Sequence, residues 1–264
     1  MSKYKLLALD LDATLLDKNG IISERNRNAI RKAKEKGVHV VIFTGRSPVG
    51  TSLIWKENEF SDIAACFGGA VIKNMRTNEV LHSSYLQHDL VKKSLDYASK
   101  CELISQIYVN DDVVCEKENP YTQKYVDYLK LNCIYDKEIR RKKWANVPKV
   151  LYFAESDKLM KHLESTRTEF GECMEVTASS KYFIELSNLD STKGKALDWL
   201  CRQLNISISE TIAVGDSLLD LSMIETADIG VAVENAHPNL LLAADYVSPS
   251  CDEHAIEWVI EHFI

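Results

Sequence analysis

Three observations predict an α/β fold with an inserted module. Strand-like and helix-like segments alternate through roughly the first 75 residues, and the same alternation returns over the last 80 or so. Apolar runs at both ends of the chain stop abruptly at carboxylates or hydroxyls. Strands separated by helices pair in parallel, and the helices cover both faces of the sheet. Between the two ends the pattern changes to a mixture of hairpin-like, strand-like and helix-like pieces rich in aromatic and charged residues. The expected organisation is a core of residues 1–83 and 188–264, with an α+β insert at 84–187.

Taken in order, the apolar run from Tyr4 to Leu9 is the first strand. "SERNRNAIRKAKEKG" is a helix with Ser23 as N-cap, Glu24 in its first turn and Gly37 as its stop. "VHVVIF", residues 38–43, is a β-branched strand that ends at "TGR". "DIAACFGGAVI" is a third apolar run, interrupted by two glycines. In the insert, "QIYVNDDVVCE" reads as a hairpin about Asn110 to Asp112. "KVLYFAE" and "YFIELS" read as strands, with "DKLMKHLESTRTEF" as a helix between them. The core resumes with "STKGKALDWLCRQL", a helix whose apolar face is Leu197, Leu200, Cys201 and Leu204. "TIAV", "IGVAV" and "DYV" are short strands. "DEHAIEWVIEHF" closes the chain as a helix with an Ile256, Val259, Ile260 and Phe263 stripe. No internal repeat or low-complexity tract is present.

Composition narrows the function classes. The chain has 264 residues, of which 45% are hydrophobic, enough to bury a core. A net charge of −7 argues against nucleic acid or an anionic membrane as partner. The most basic stretch, Arg140 to Lys143, reads as a solvated face. The seven cysteines are odd in number and form no CxxC pair, so reduced thiols in a cytoplasm are expected rather than a disulfide framework or a zinc site. The short N-terminal apolar run runs straight into two aspartates, which argues against a signal peptide. No apolar run approaches the ~18 residues of a membrane span.

The chemistry is written at the strand ends, where open parallel sheets bind ligands. The first strand ends in Asp10 and Asp12, the second in Thr44, Gly45 and Arg46, and the strand from Thr211 in Gly215 and Asp216, with Asp220 four residues on. Adjacent carboxylates repel, and burial strengthens the repulsion. A hard cation such as Mg²⁺, which takes oxygen ligands, offsets it. Lys193 stands in the first turn of a helix, where its charge opposes the helix dipole unless it faces an anion. Carboxylates, a cation, a lysine and a hydroxyl together describe a phosphoryl-transfer site. Each residue also has a plainer reading: Asp216 as a turn former, Thr44 as a hydroxyl closing a local turn, Lys193 as a surface lysine.

With these motifs in place, the whole chain resembles the haloacid dehalogenase superfamily in its Cof-type, subfamily IIB branch. "DLDATLL" is similar to the first motif of that family, "FTGR" to the second, "STKGKAL" to the third and "VGDSLLDLSM" to the fourth. The resemblance implies a Rossmann-like, doubly wound parallel sheet with an inserted C2-type α+β cap. It implies Asp10 as nucleophile and Asp12 as general acid and base. Thr44, Gly45 and Lys193 would bind phosphate. Mg²⁺ would be held by Asp10, the backbone carbonyl of Asp12, and Asp216, with Asp220 supporting the metal shell.

Three positions depart from the family pattern. Ala13 and Gly68 stand where glycine and asparagine are usual, and Leu219 stands in place of an asparagine. If position 13 requires a positive φ, alanine adds strain of about 1 kcal/mol. The expected function is a cytoplasmic, Mg²⁺-dependent phosphatase of small phosphorylated metabolites. A phosphomutase or phosphotransferase on the same core, and a non-enzymatic phospholigand sensor, are the alternatives. Tyr108, Tyr121, Tyr125 and Tyr182 are insert aromatics that either meet a leaving group or pack the insert. Substrate identity and oligomeric state are not legible.

Overall fold

Leu6–Leu9 (β1) is buried along its whole length, as a strand covered on both faces of a sheet must be. The computed structural model describes residues 2–56, 58, 60–180 and 182–264. Helix α1 (Glu24–Glu35) begins where the Ser23 side chain accepts from the Asn26 amide, and Gly37 turns the chain out of it at φ +83°. Strand β2 (His39–Phe43) and helix α2 (Pro48–Trp55) follow. The glycine-interrupted run becomes β3 (Ile63–Cys66) and β4 (Val71–Asn74), joined by a tight turn at Phe67–Gly69, and β5 (Val80–Ser83) completes this part.

The chain then enters a second layer: α3 (His88–Lys100), β6 (Ile104–Val109), β7 (Asp112–Cys115), α4 (Pro120–Leu129), β8 (Cys133–Tyr135), β9 (Lys149–Phe153), α5 (Leu159–Phe170), β10 (Glu175–Ser180) and β11 (Phe183–Ser187). It returns through α6 (Lys193–Leu204), β12 (Thr211–Gly215), α7 (Leu221–Thr226), β13 (Ile229–Val233), α8 (Pro238–Ala243), β14 (Tyr246–Ser248) and α9 (Ala255–Phe263).

Two sheets result. The first has the order β14-β13-β12-β1-β2-β3-β4-β5, parallel from β14 to β3, with β4 and β5 antiparallel at one edge. The second has the order β10-β11-β9-β6-β7-β8 and is antiparallel except for the β7–β8 pair. The fold is therefore α/β with a parallel core sheet and a second α+β layer. The hairpin expected about Asn110 is the β6–β7 turn, with Asn110 and Asp111 both at positive φ, as a two-residue turn between twisted strands requires. The first strand starts at Leu6 rather than Tyr4, and the closing helix starts at Ala255, after a turn through His254 at φ +65°. Arg140, Arg141 and Lys142 pair on the surface with Glu116, Glu138 and Asp136. All seven cysteines are free thiols. No helix among the described residues is long and apolar enough to cross a membrane.

Register fixes where the site lies. Leu9 stands opposite Ile42 of β2 on one side and Val214 of β12 on the other. The residues just past these strands therefore emerge side by side at the switch point, with β2 following β1 on one side and β12 arriving on the other. Beyond β1 the chain makes a tight turn, Leu11–Leu15, with Asp12 extended and Ala13 left-handed at φ 57°, ψ 13°. The side chain of Asn235 donates to the Ala13 carbonyl at 2.8 Å and holds this turn from the C-terminal segment. A left-handed alanine stores strain that glycine would not. Ala13→Gly is expected to stabilise the metal-free protein by about 0.5–1 kcal/mol net of glycine's entropy, read as a higher urea midpoint at unchanged slope.

Candidate active site

Lys193 is the first residue of α6, its side chain is fully buried, and it points at carboxylates. Its Nζ lies 2.6 Å from Asp10 Oδ1 and also donates to Asp220 Oδ1. Asp10 leaves the end of β1 with its amide on the Val214 carbonyl at 3.0 Å, which ties it to β12. Asp220 is buried behind the loop after β12. Its Oδ2 accepts from the Asp216 amide at 3.1 Å, the Ser217 amide at 2.9 Å and the Ser217 hydroxyl at 3.0 Å. Gly215 makes this fit possible, since a Cβ there would sit 2.4 Å from that of Asp220. Asp216 is oriented by the Thr14 hydroxyl, 3.1 Å from its Oδ1.

Oxygen atoms of Asp10, Asp216 and Asp220 lie within 4.8 Å of one another. One ammonium stands against these three carboxylates. Burial pushes Asp10 up to about 7 despite Lys193, and Asp220 and Asp12 add to the rise. Burial, then Asp10 and Asp220, push Asp216 up to about 9. Burial alone would lower the pKa of Lys193, but Asp10 and Asp220 outweigh it and hold the ammonium above its ordinary value. An all-oxygen donor set with surplus negative charge fits a hard divalent cation. Asp10 and Asp216 are the carboxylates available to it, because Asp220 is already engaged by Lys193, Ser217 and two amides.

Asp12 points elsewhere. Its carboxylate receives a two-pronged hydrogen bond from Arg46, with Nε to Oδ2 at 2.8 Å and Nη2 to Oδ1 at 2.5 Å. The Arg46 side chain is buried while that of Asp12 is half exposed, so Arg46 forms a fixed platform and Asp12 faces the cavity. Thr44 is buried at the end of β2, where its hydroxyl accepts from the Arg46 amide at 3.1 Å. That is the turn-closing role, and the hydroxyl proton is left to donate. The Gly45 carbonyl accepts from Lys149 Nζ at 2.9 Å.

Lys149 belongs to β9 in the second layer. It also donates to Glu185 of β11 at 2.8 Å, and both side chains are buried. Sequence reading missed this pair, and no local signal marks it, since each residue merely alternates within a strand. It also missed α4, which carries Tyr125 and Tyr128 to the cavity. Here a signal existed: Asn119 caps the helix and Pro120 opens it. Of the insert aromatics, Tyr108 is fully buried and donates to the Tyr125 hydroxyl at 2.5 Å, whereas Tyr121, Tyr125 and Tyr182 line the cavity over Asp10 and Asp12.

The departures at 68 and 219 meet in space. Gly68 has φ +69°, and a Cβ built on it would lie 3.2 Å from Leu219 Cδ1. One built on Gly45 would lie 3.1 Å from Leu219 Cδ2. Leu219 thus covers both glycines, and a longer side chain at 68 would have to displace it. The two departures form one apolar contact.

A family model described as haloacid dehalogenase-like hydrolase matches residues 7–260. Phosphatase YwpJ of Bacillus subtilis is 31% identical over 98% of this chain and all of its own. The 5-amino-6-(5-phospho-D-ribitylamino)uracil phosphatase YcsE, also of B. subtilis, is 30% identical over 98% of this chain and 96% of its own. A solved sugar phosphatase of the haloacid dehalogenase subclass IIB superposes with a TM-score of 0.83 at 25% identity, covering 98% of each chain.

The buried Lys149–Glu185 pair generates a stability prediction. Lys149→Met leaves an unpaired buried carboxylate and is expected to cost about 3–5 kcal/mol in denaturant unfolding. Adding Glu185→Leu should recover much of that loss, and a double variant no more stable than Lys149→Met would refute the pairing argument.

Proposed function

The chain belongs to the haloacid dehalogenase-like hydrolases, and on that premise we propose that its phosphatase chemistry runs through an aspartyl-phosphate on Asp10, with Mg²⁺ as the cation and small phosphate monoesters as substrates. The observation that carries this reading is the meeting of buried Asp10, Lys193 and Asp220 with half-buried Asp216 at one sheet end, with Asp12 in the adjoining turn. Asp10, Asp216 and the Asp12 carbonyl would hold the Mg²⁺, with Asp220 fixing the loop behind them. When bound, Mg²⁺ supplies positive charge that lowers repulsion between the Asp10 carboxylate and an anionic phosphate.

An Asp10 oxygen attacks phosphorus while the bond to the leaving alkoxide breaks. Asp12 gives its proton to the departing alkoxide oxygen, so the alcohol leaves neutral. In the second half, Asp12 takes a proton from water as the water attacks the acyl phosphate, releasing phosphate and restoring the Asp10 carboxylate. Lys193 and the Thr44 hydroxyl neutralise and orient the phosphoryl oxygens. Both Asp12 oxygens accept from Arg46 in this structure, so Asp12 must leave at least one of those bonds to serve as acid. The second layer roofs the site, and its lining selects the leaving group.

Phosphate release from a panel of monoesters is expected to need added Mg²⁺ and to fall on the order of 10³-fold or more in Asp10→Asn. Release that is indifferent to EDTA and to that substitution would sink the mechanism. In thermal or denaturant unfolding, Mg²⁺ at about 100 times its dissociation constant should stabilise the protein by about 2.7 kcal/mol. Asp216→Asn should abolish most of that gain, and an undiminished gain would remove Asp216 from the ligand set.

A further inference from the structure

A cavity of about 950 Å³ lies between the two layers, with Asp10 and Asp12 at one end. That is the upper part of the range, about 300–1,000 Å³, that encloses drug-sized ligands. Its far wall is aromatic: Tyr121, Tyr125 and Tyr128 from α4, Phe153 from β9, and Tyr182 and Phe183 at the start of β11. The helical residues recur at four and then three positions, so a single face of α4 is turned to the cavity. Tyr125, Phe153 and Phe183 pack edge to face, with centroids 5.1–6.2 Å apart. They form a stiff backing. Tyr121, Tyr128 and Tyr182 remain 46%, 65% and 43% exposed, though all three line this one cavity. Arg46 stands 5.8 Å from the Tyr128 ring, linking that aromatic wall to the platform beneath Asp12.

The polar groups tell the same story. A polyol needs several donors and acceptors around its hydroxyls. Glu185, the one carboxylate in the second-layer part of the lining, is held by Lys149, and Lys149 is also held by the Gly45 carbonyl. The Tyr125 hydroxyl is bonded to that of Tyr108. Across the cavity, Leu219 offers methyl groups. Lys124 and the hydroxyls of Tyr121, Tyr128 and Tyr182 add polar tips to the lining, but the ring faces and the Leu219 methyls offer no partner, so a sugar hydroxyl pressed against them would lose water at about 1–3 kcal/mol each. A planar ring would gain stacking contacts instead.

We propose that the substrate is a phosphate monoester whose alcohol carries a planar aromatic or heteroaromatic ring, stacked among the tyrosines of α4, Phe153 and Phe183, with its phosphate at Asp10. This rests on the phosphatase reading above. The test measures kcat/KM with Mg²⁺ for pyridoxal 5′-phosphate and flavin mononucleotide against glucose 6-phosphate, ribose 5-phosphate and glycerol 3-phosphate. Wild type, Asp10→Asn, Tyr128→Ala and Leu219→Asn are compared. The expected result is at least a tenfold preference for the ring-bearing esters. Tyr128→Ala should erode the preference mainly through KM, and Leu219→Asn should narrow it by improving the sugar esters. Asp10-dependent hydrolysis of sugar phosphates as fast as the ring-bearing esters, with Tyr128→Ala slowing both alike, overturns the substrate class and leaves the phosphatase intact. Absence of Asp10-dependent hydrolysis of every ester overturns the phosphatase reading, and this inference with it.

Discussion

One buried lysine organises the carboxylate cluster at the end of the parallel sheet. Lys193 has no exposed side-chain surface and is held between Asp10 and Asp220. A lone ammonium in such a place would be prohibitively desolvated, and so would the carboxylates without it. Three segments distant in sequence must therefore converge to keep each other charged: the end of β1, the start of α6 and the loop after β12. The sheet register brings β1 and β12 together, and the charge cluster then fixes the side chains. The cluster is incomplete on charge grounds, with more carboxylates than cations, and that imbalance suits it to a divalent cation.

A second constraint links the layers. Lys149 reaches from the second sheet to the backbone of Gly45, within the loop that carries Thr44 and Arg46. A buried ion pair is poor evidence for stability, since its desolvation offsets its attraction. Its geometric consequence is clearer. The loop bearing two polar side chains of the site is held from above by the layer that also lines the cavity. Arg46 extends the same connection by gripping Asp12 and standing beside Tyr128.

Positions 13, 68 and 219 illustrate how local departures resolve once neighbours are known. Ala13 does adopt the left-handed conformation that the resemblance made a concern, and Asn235 ties it there. Gly68 and Leu219 are distant in sequence yet touch, so neither is interpretable alone. Together they put a methyl-lined surface against Gly45 at the cavity wall. The charged residues Asp10, Lys193, Asp216 and Asp220 are the same whether or not these positions depart from the family pattern.

The sequence by itself determined the alternation of strands and helices, the strand ends at Asp10, Thr44 and Asp216, and the helix start at Lys193. These are local properties: period, capping and the abrupt end of an apolar run leave their mark within a few residues. Tertiary structure alone decided that Lys193 is buried between two carboxylates, that Arg46 holds Asp12, and that Lys149 and Glu185 meet beneath the cavity roof. It also turned three exposed tyrosines toward one space and laid Leu219 over Gly68. Such pairings depend on strand register and on the stacking of two sheets. No residue-by-residue pattern encodes them, because each partner satisfies its own local rules equally well with the other absent.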